Sequence, residues 1–189
     1  MIQKFYFKPL ELSGAYLIEP FCATDERGTF IKDYNISTFK DNEIDYELKE
    51  VFYTTSKKGV LRGIHFQFGK PQAKLVRCIK GHIYDVIVDL RFDSDTFGKH
   101  MGFDLSEENN LELFIPEYFG HGYIVFEDSV VSYKCNEVFY GEGDSGIKYN
   151  DPDIAVDWHF ERIGGEKELI ISQKDLNLMS FEQYKTKMQ

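Results

Sequence analysis

The chain has 189 residues, 42% of them hydrophobic, which suits one domain with enough apolar content to bury a core rather than stay disordered. Its 22 Lys and Arg against 32 Asp and Glu leave a formal charge of −10, which disfavours a life on nucleic acid. No apolar run reaches the roughly 18 residues of a membrane span.

The opening stretch MIQKFYFKPLELSGAYL lacks a signal peptide's continuous apolar run and small-residue cleavage site, so no secretory leader is expected. Three cysteines, Cys22, Cys78 and Cys135, are odd in number and far apart. They form neither a disulfide framework nor a zinc motif, and they suit a reducing, cytoplasmic compartment. Aromatic residues make up 16% of the chain, with 17 Phe and 12 Tyr against 5 Pro, a composition that fits pleated, half-buried sheet. No linker, repeat or composition break divides residues 1–189, which read as a single domain.

In chain order, NISTFKDN (35–42) predicts a short helix capped by Asn35 or Ser37. GVLRGIHFQ (59–67) predicts a strand whose apolar run is interrupted by Arg62, His65 and Gln67. Strict alternation puts His65 and Gln67 on one face and Arg62 on the other, but Gly63 offers a bulge that could turn Arg62 inward as well. LVRCIK (75–80) predicts a strand stopped at Gly81-His82. IYDVIVDLR (83–91) follows with a clear period of two. LELFIP (111–116), YIVF (123–126) and VVSYKC (130–135) continue the pattern, with turns expected at FGHG, FEDS and GEGDSG. SFEQYKTKMQ (180–189) predicts a terminal helix. Many short antiparallel strands with few helices predict an all-β barrel or jelly roll, a fold that holds its ligand in the barrel's mouth or interior.

Several ionisable residues fall on strand faces that should be internal. Lys74 shares a face with Val76 and Cys78, and Tyr133 shares one with Val131 and Cys135; His121 is expected in the FGHG turn. Taken singly, each has an ordinary reading: a satisfied structural histidine, a solvated strand-edge lysine, a core tyrosine. Together they are harder to explain that way. Burying Arg, His, Lys and Tyr in one barrel without an anionic ligand costs several kcal/mol per ion. The five histidines (65, 82, 100, 121, 159) contain no H-x-H pair, so spacing gives a metal site no support; no metal and no cofactor are expected. No GxSxG elbow is present either. What remains is a base, a proton donor and a fixed cation. Those are the parts needed to move a proton on a carbon beside a carbonyl, with inversion if the donor acts from the opposite face.

The strings DERGTF (25–30), VLRGIHFQ (60–67), KLVRC (74–78), IPEYFGHGY (115–123), YNDPDIAVDW (149–158) and ISQKD (171–175) together resemble the dTDP-4-dehydrorhamnose 3,5-epimerase family over roughly residues 15–180. The resemblance implies a cupin-like jelly roll, dimeric and free of metal and cofactor. It also implies an isomerase acting on a nucleotide-linked 4-keto sugar in activated-sugar biosynthesis for surface polysaccharide. It makes His65 the base with Asp175 as its orienting carboxylate, Tyr133 the opposing acid and Lys74 the cation at the keto oxygen. Arg27, Arg62, Gln67, His121 and Lys174 become ligand-binding residues. Phe139 stands where an aromatic stacks on the nucleobase, and Asp144 stands where the family usually has Glu.

Two further segments depart from the pattern: Glu50-Val51-Phe52 replaces a Gln-Asp-Asn-like run at the nucleotide end, and Lys32 replaces a Glu. The departures leave open a GDP-linked 4-keto sugar, such as a heptose, as substrate. Action at carbon 3 alone, a 3,4-ketoisomerase and a non-catalytic sugar-nucleotide binder are further alternatives. The homodimer rests on the resemblance, with FYF (5–7) as a candidate exchanged strand.

Overall fold

The computed structural model describes residues 3–188. The elements are β1 (Tyr6–Pro9), β2 (Tyr16–Glu19), β3 (Phe21–Asp25), β4 (Gly28–Lys32), α1 (Ile36–Asp41), β5 (Glu50–Ser56), β6 (Leu61–Gln67), β7 (Lys74–Asp89), β8 (His100–Ser106), β9 (Glu112–Ile115), β10 (Phe119–Cys135) and β11 (Asp144–Gly146). The C-terminal segment adds two 3₁₀ turns (Phe160–Ile163 and Glu166–Glu168), α2 (Gln173–Leu176) and α3 (Phe181–Met188).

Two long strands organise the molecule. The first half of β7 pairs with β9 and its second half with β8. β10 runs antiparallel to β7 throughout, while its own first half pairs with β6 and its second half with β5. One sheet is therefore β1-β2-β9-β7-β10-β5 and the facing one is β8-β7-β10-β6-β11, with β7 and β10 passing from one to the other. This is the expected all-β, cupin-like jelly roll. The bend falls at Gly81 and opposite it at Glu127–Val130, where the register shifts. Gly81 has φ +80°, and a Cβ there would meet the Asp128 carbonyl oxygen at 2.4 Å, so the corner requires glycine.

Three apolar clusters hold the layers. Val76, Cys78, Ile83, Ile87, Phe119, Tyr123, Val125, Val131 and Tyr133 fill the space between the sheets. The C-terminal segment covers the outer face of the second sheet with Tyr149, Ile154, Trp158, Phe181 and Tyr184. The Trp158 indole N–H donates to the Tyr149 carbonyl at 2.7 Å. The outer face of the first sheet is covered by Phe5, Phe39, Ile44 and Tyr46. Full burial of each large aliphatic or aromatic side chain contributes about 1.5–3 kcal/mol.

The expected helices form as α1 and α3, with Asn35 capping α1 through its Oδ1 to the Thr38 N–H at 3.0 Å. Residue 189 lies outside the described residues. Three expected breaks do not occur. Gly81-His82 lies within β7, and FGHG and FEDS both lie within β10. His121 is thus a strand residue, not a turn residue. The glycines of FGHG serve close packing inside a strand paired on both sides, and FEDS forms the bend between sheets. The FYF segment pairs through β1 with β2 of its own chain. No helix among the described residues is long and apolar enough to cross a membrane.

The bulge expected at Gly63 forms. His121 opposes His65 while Tyr123 opposes Arg62, so three steps along β6 match two along β10. Gly63 has φ +120°, and a Cβ on it would lie 2.4 Å from the Gly122 Cα and 2.8 Å from the His121 carbonyl oxygen. Replacing Gly63 by Ala should therefore destabilise the fold by roughly 3 kcal/mol or more. Urea unfolding of wild type and variant checks this.

Candidate active site

Between the sheets lies a cavity of about 280 Å³ lined by Phe52, Thr54, Arg62, His65, Gln67, Lys74, His121, Tyr123, Tyr133, Phe139, Asp144 and Lys174, with Phe66, Gln72 and Gly122 completing the wall. Its polar groups sit on the same inward faces as the central core. Lys74 continues the row of Val76 and Cys78, His121 that of Phe119 and Tyr123, and Tyr133 that of Val131 and Cys135. The site is the polar end of an apolar interior.

His65 comes from β6 in the second sheet. Its Nε2 lies 2.8 Å from Asp175 Oδ1. Asp175 is buried and arrives from far along the chain by a local route. Residues 169–171 run beside the start of β6, with the Leu61 N–H donating to the Ile170 carbonyl at 2.9 Å and the Ile170 N–H to that of Gly59 at 2.8 Å. Ser172 then caps α2, its Oγ accepting from the Asp175 N–H at 3.0 Å, which aims the carboxylate at β6. Burial alone would raise the Asp175 carboxyl. The hydrogen bond and charge of His65, with the Gly63 N–H and Ser172, outweigh burial and hold it below the usual range. With Nε2–H donating to this carboxylate, Nδ1 is the free basic nitrogen, and the imidazolium formed on proton uptake is stabilised.

Lys74 and Tyr133 come from the facing sheet. Burial lowers the Lys74 ammonium, against the pull of Cys135, Asp85 and Asp144. Burial pushes the Tyr133 phenol well above its ordinary value, and the neighbouring Tyr123 and Asp85 add to this against Arg62. Tyr133 therefore stays protonated as a donor at neutral pH. His121 Nε2 lies 2.9 Å from the fully buried Asp85, whose carboxyl is raised by burial and pulled back by His121 and Lys74. Asp85 escaped the sequence reading, although an acid between Ile83 and Ile87 on an inward-facing row was a usable signal.

The residues expected to bind ligand divide. Arg62 lines the cavity with Nε donating to Ser56 Oγ at 3.1 Å, as the bulge requires. Lys174 pairs with Asp144 at the rim. Arg62, Lys74 and Lys174 thus gather cationic groups at one pocket of an acidic chain, an arrangement suited to an anionic ligand. Phe139 stands exposed at the rim.

Gln67 lines the wall, but its amide is occupied. Its oxygen accepts from the Tyr140 N–H at 2.9 Å, and its nitrogen donates to the carbonyls of Lys70 at 2.9 Å and Val138 at 3.4 Å. Gln67 therefore braces the loop carrying Phe139. Glu50 helps, accepting from the Phe139 N–H at 3.1 Å.

Arg27 is not brought to this pocket. It sits at the tip of the separate β3–β4 hairpin, exposed and paired with Asp25. Lys32, at the end of the same hairpin, donates to Gln3. Among the described residues, no three His, Cys, Asp or Glu side chains gather as a metal-ligand set.

Replacing Asp175 by Asn should cut turnover about a hundredfold or more, because the imidazolium loses its counter-charge. The depressed Asp175 carboxyl stabilises the fold above its unfolded value, and this is lost as pH falls through the lower folded value. The variant's stability should therefore depend less on pH at the acid end. Steady-state kinetics and unfolding midpoints between neutral pH and pH about 3 check both.

Comparison with known proteins places this geometry. Residues 9–183 match the family model described as dTDP-4-dehydrorhamnose 3,5-epimerase. An enzyme of that name from Methanothermobacter thermautotrophicus is 48% identical over 175 residues, covering 92% of this chain and 93% of its own. The crystal structure of dTDP-4-dehydrorhamnose 3,5-epimerase from Elizabethkingia anophelis superposes with a TM-score of 0.88 at 38% identity, over 95% of this chain and 97% of that one. The epimerase from Legionella pneumophila, solved in complex with dTDP-4-keto-L-rhamnose, gives a TM-score of 0.88 at 31% identity, over 95% and 94% of the two chains. Sequence motifs, jelly roll and relatives agree, and the chain belongs to the dTDP-4-dehydrorhamnose 3,5-epimerase family.

Proposed function

We propose that this chain is an isomerase that inverts carbons 3 and 5 of a dTDP-linked 4-keto sugar. One observation carries the reading: the His65–Asp175 pair and the protonated Tyr133 reach one cavity from facing sheets. His65 Nδ1 takes the proton from carbon 3. The C–H electrons form the carbon 3–carbon 4 double bond, and the carbonyl π electrons move to the oxygen, where the Lys74 ammonium stabilises the enolate. Collapse of the enolate takes the Tyr133 proton onto the opposite face of carbon 3. His65 then releases its proton to water and the Tyr133 phenolate regains one, so no net proton is consumed. The same sequence at carbon 5 completes the double inversion. Arg62, His121 and Lys174 hold the sugar and diphosphate, and Phe139 stacks on the base. The named relatives favour dTDP over the GDP-linked alternative.

The chain works as a homodimer on this reading. Arg27 has a ligand-binding role by resemblance yet lies outside its own pocket, at the tip of a hairpin that also exposes Phe30. Both facts are accommodated if the hairpin serves the pocket of a second copy.

Incubation of a dTDP-linked 4-keto-6-deoxy sugar with the protein in deuterated water, followed by NMR, should place deuterium at carbons 3 and 5 of an inverted product. His65→Asn should reduce this at least a hundredfold with the fold intact. Label at carbon 3 alone would make the enzyme a single epimerase, and turnover of only a GDP-linked sugar would overturn the nucleotide assignment. For the dimer, Arg27→Ala and His65→Asn should each be inactive alone, whereas mixed subunits should regain up to roughly a quarter of wild-type activity. That recovery requires one intact pocket built from both chains, and its absence would place Arg27 with its own subunit.

A further inference from the structure

β5 is an edge strand whose second edge is unpaired among the described residues, and its outward residues Val51 and Tyr53 are strongly exposed. Between them, Phe52 points to the cavity wall. It stands directly opposite Tyr133 in the β5–β10 register, where side chains of antiparallel strands meet on one face. The two rings lie 4.7 Å apart at an angle of 10°, a near-parallel stack. The His121 ring also packs on the Tyr133 ring, at 5.7 Å and 70°, and is itself anchored to Asp85.

Phe52 is not among the residues of the apolar cluster between the sheets. It remains 40% exposed, while Tyr133 beneath it is only 7% exposed. The phenyl ring therefore covers one face of the Tyr133 ring on the more exposed side.

We propose that Phe52 is a positioning residue for proton delivery, holding the Tyr133 ring against His121 so that its hydroxyl addresses the enolate from the face opposite His65. This rests on the reading of Tyr133 as the proton donor. Its consequence is specific to one half of the reaction. The base side, His65 with Asp175, lies on the other sheet and does not depend on Phe52. Loosening the stack should therefore impair inversion while leaving proton abstraction intact. An enolate formed without a placed donor takes its proton back from His65, after that proton has exchanged with solvent, and returns to substrate.

The test compares Phe52→Ala, Phe52→Leu, Phe52→Tyr and Tyr133→Phe in deuterated water. It follows inverted product and deuterium in recovered substrate separately, with unfolding midpoints to confirm that each variant is folded. Phe52→Ala should lower kcat for inversion about tenfold to a hundredfold, the scale of a misplaced reacting group, with KM within about threefold. Deuterium should enter recovered substrate at least as fast as with wild type. Phe52→Tyr should restore inversion, and Phe52→Leu should behave like Ala, which keeps the test available if Ala unfolds. A rise in KM with kcat unchanged would overturn the inference by making Phe52 a ligand contact. Wild-type behaviour of the Ala and Leu variants, or equal loss of exchange and inversion, would overturn it as well. If Tyr133→Phe inverts at the wild-type rate, the donor assignment itself falls; if Tyr133→Phe loses inversion and Phe52→Ala does not, only the role of Phe52 falls.

Discussion

β7 and β10 each belong to both sheets, and the bend they share at Gly81 and Glu127–Val130 controls what can meet inside. Past the bend, the inward row of β7 changes from even to odd residues, from Lys74, Val76 and Cys78 to Ile83, Asp85 and Ile87. The two halves of each strand then face one another across one interior. Without that bend, Tyr133 and His65 would lie on one continuous surface rather than on opposing walls. A reaction that removes a proton from one face and returns it to the other needs walls, not a surface.

Pairing explains how several of the ionisable groups around the interior are tolerated. A buried charge survives when it is paired or neutralised. Asp85 has His121 and Asp175 has His65, while at the more exposed rim Asp144 has Lys174. Tyr133 stays neutral because burial makes its phenolate costly. Lys74 has no comparable close ion pair among the described residues, and burial weakens its hold on its proton. As a buried cation on the cavity wall, it stands to gain from an incoming negative charge. In the proposed mechanism an enolate oxygen would supply one and withdraw it afterwards, so the strongest attraction would coincide with the transition state.

Around this centre, residues that look like ligand contacts are partly scaffolding. Gln67 spends its amide on the loop of Phe139, and Glu50 takes the backbone N–H of Phe139 itself. Phe52 stacks on Tyr133. Two of the positions at which the chain departs from the usual family pattern are thus used here to hold other site residues in place. A change of residue type at a site wall therefore need not mean a change of ligand.

Much was settled locally. The period of two in 83–89, the shared faces of Lys74 with Cys78 and of Tyr133 with Cys135, the Asn35 cap and the bulge at Gly63 follow from pleat geometry and near-neighbour hydrogen bonds, and all are present in the fold. The motif strings carried the family. Tertiary structure decided the rest, because those contacts join residues that local pattern cannot relate. It turned the expected breaks at Gly81-His82, FGHG and FEDS into continuous strands, since glycines and polar runs that end a strand look like those that let a long strand bend or pack closely until a partner strand is present. It committed the Gln67 amide to a loop 71 residues away, as at Val138. It left Arg27 on a hairpin outside the pocket and set Phe52 over Tyr133. Pairing register and burial determine those placements, and both arise only when distant strands meet.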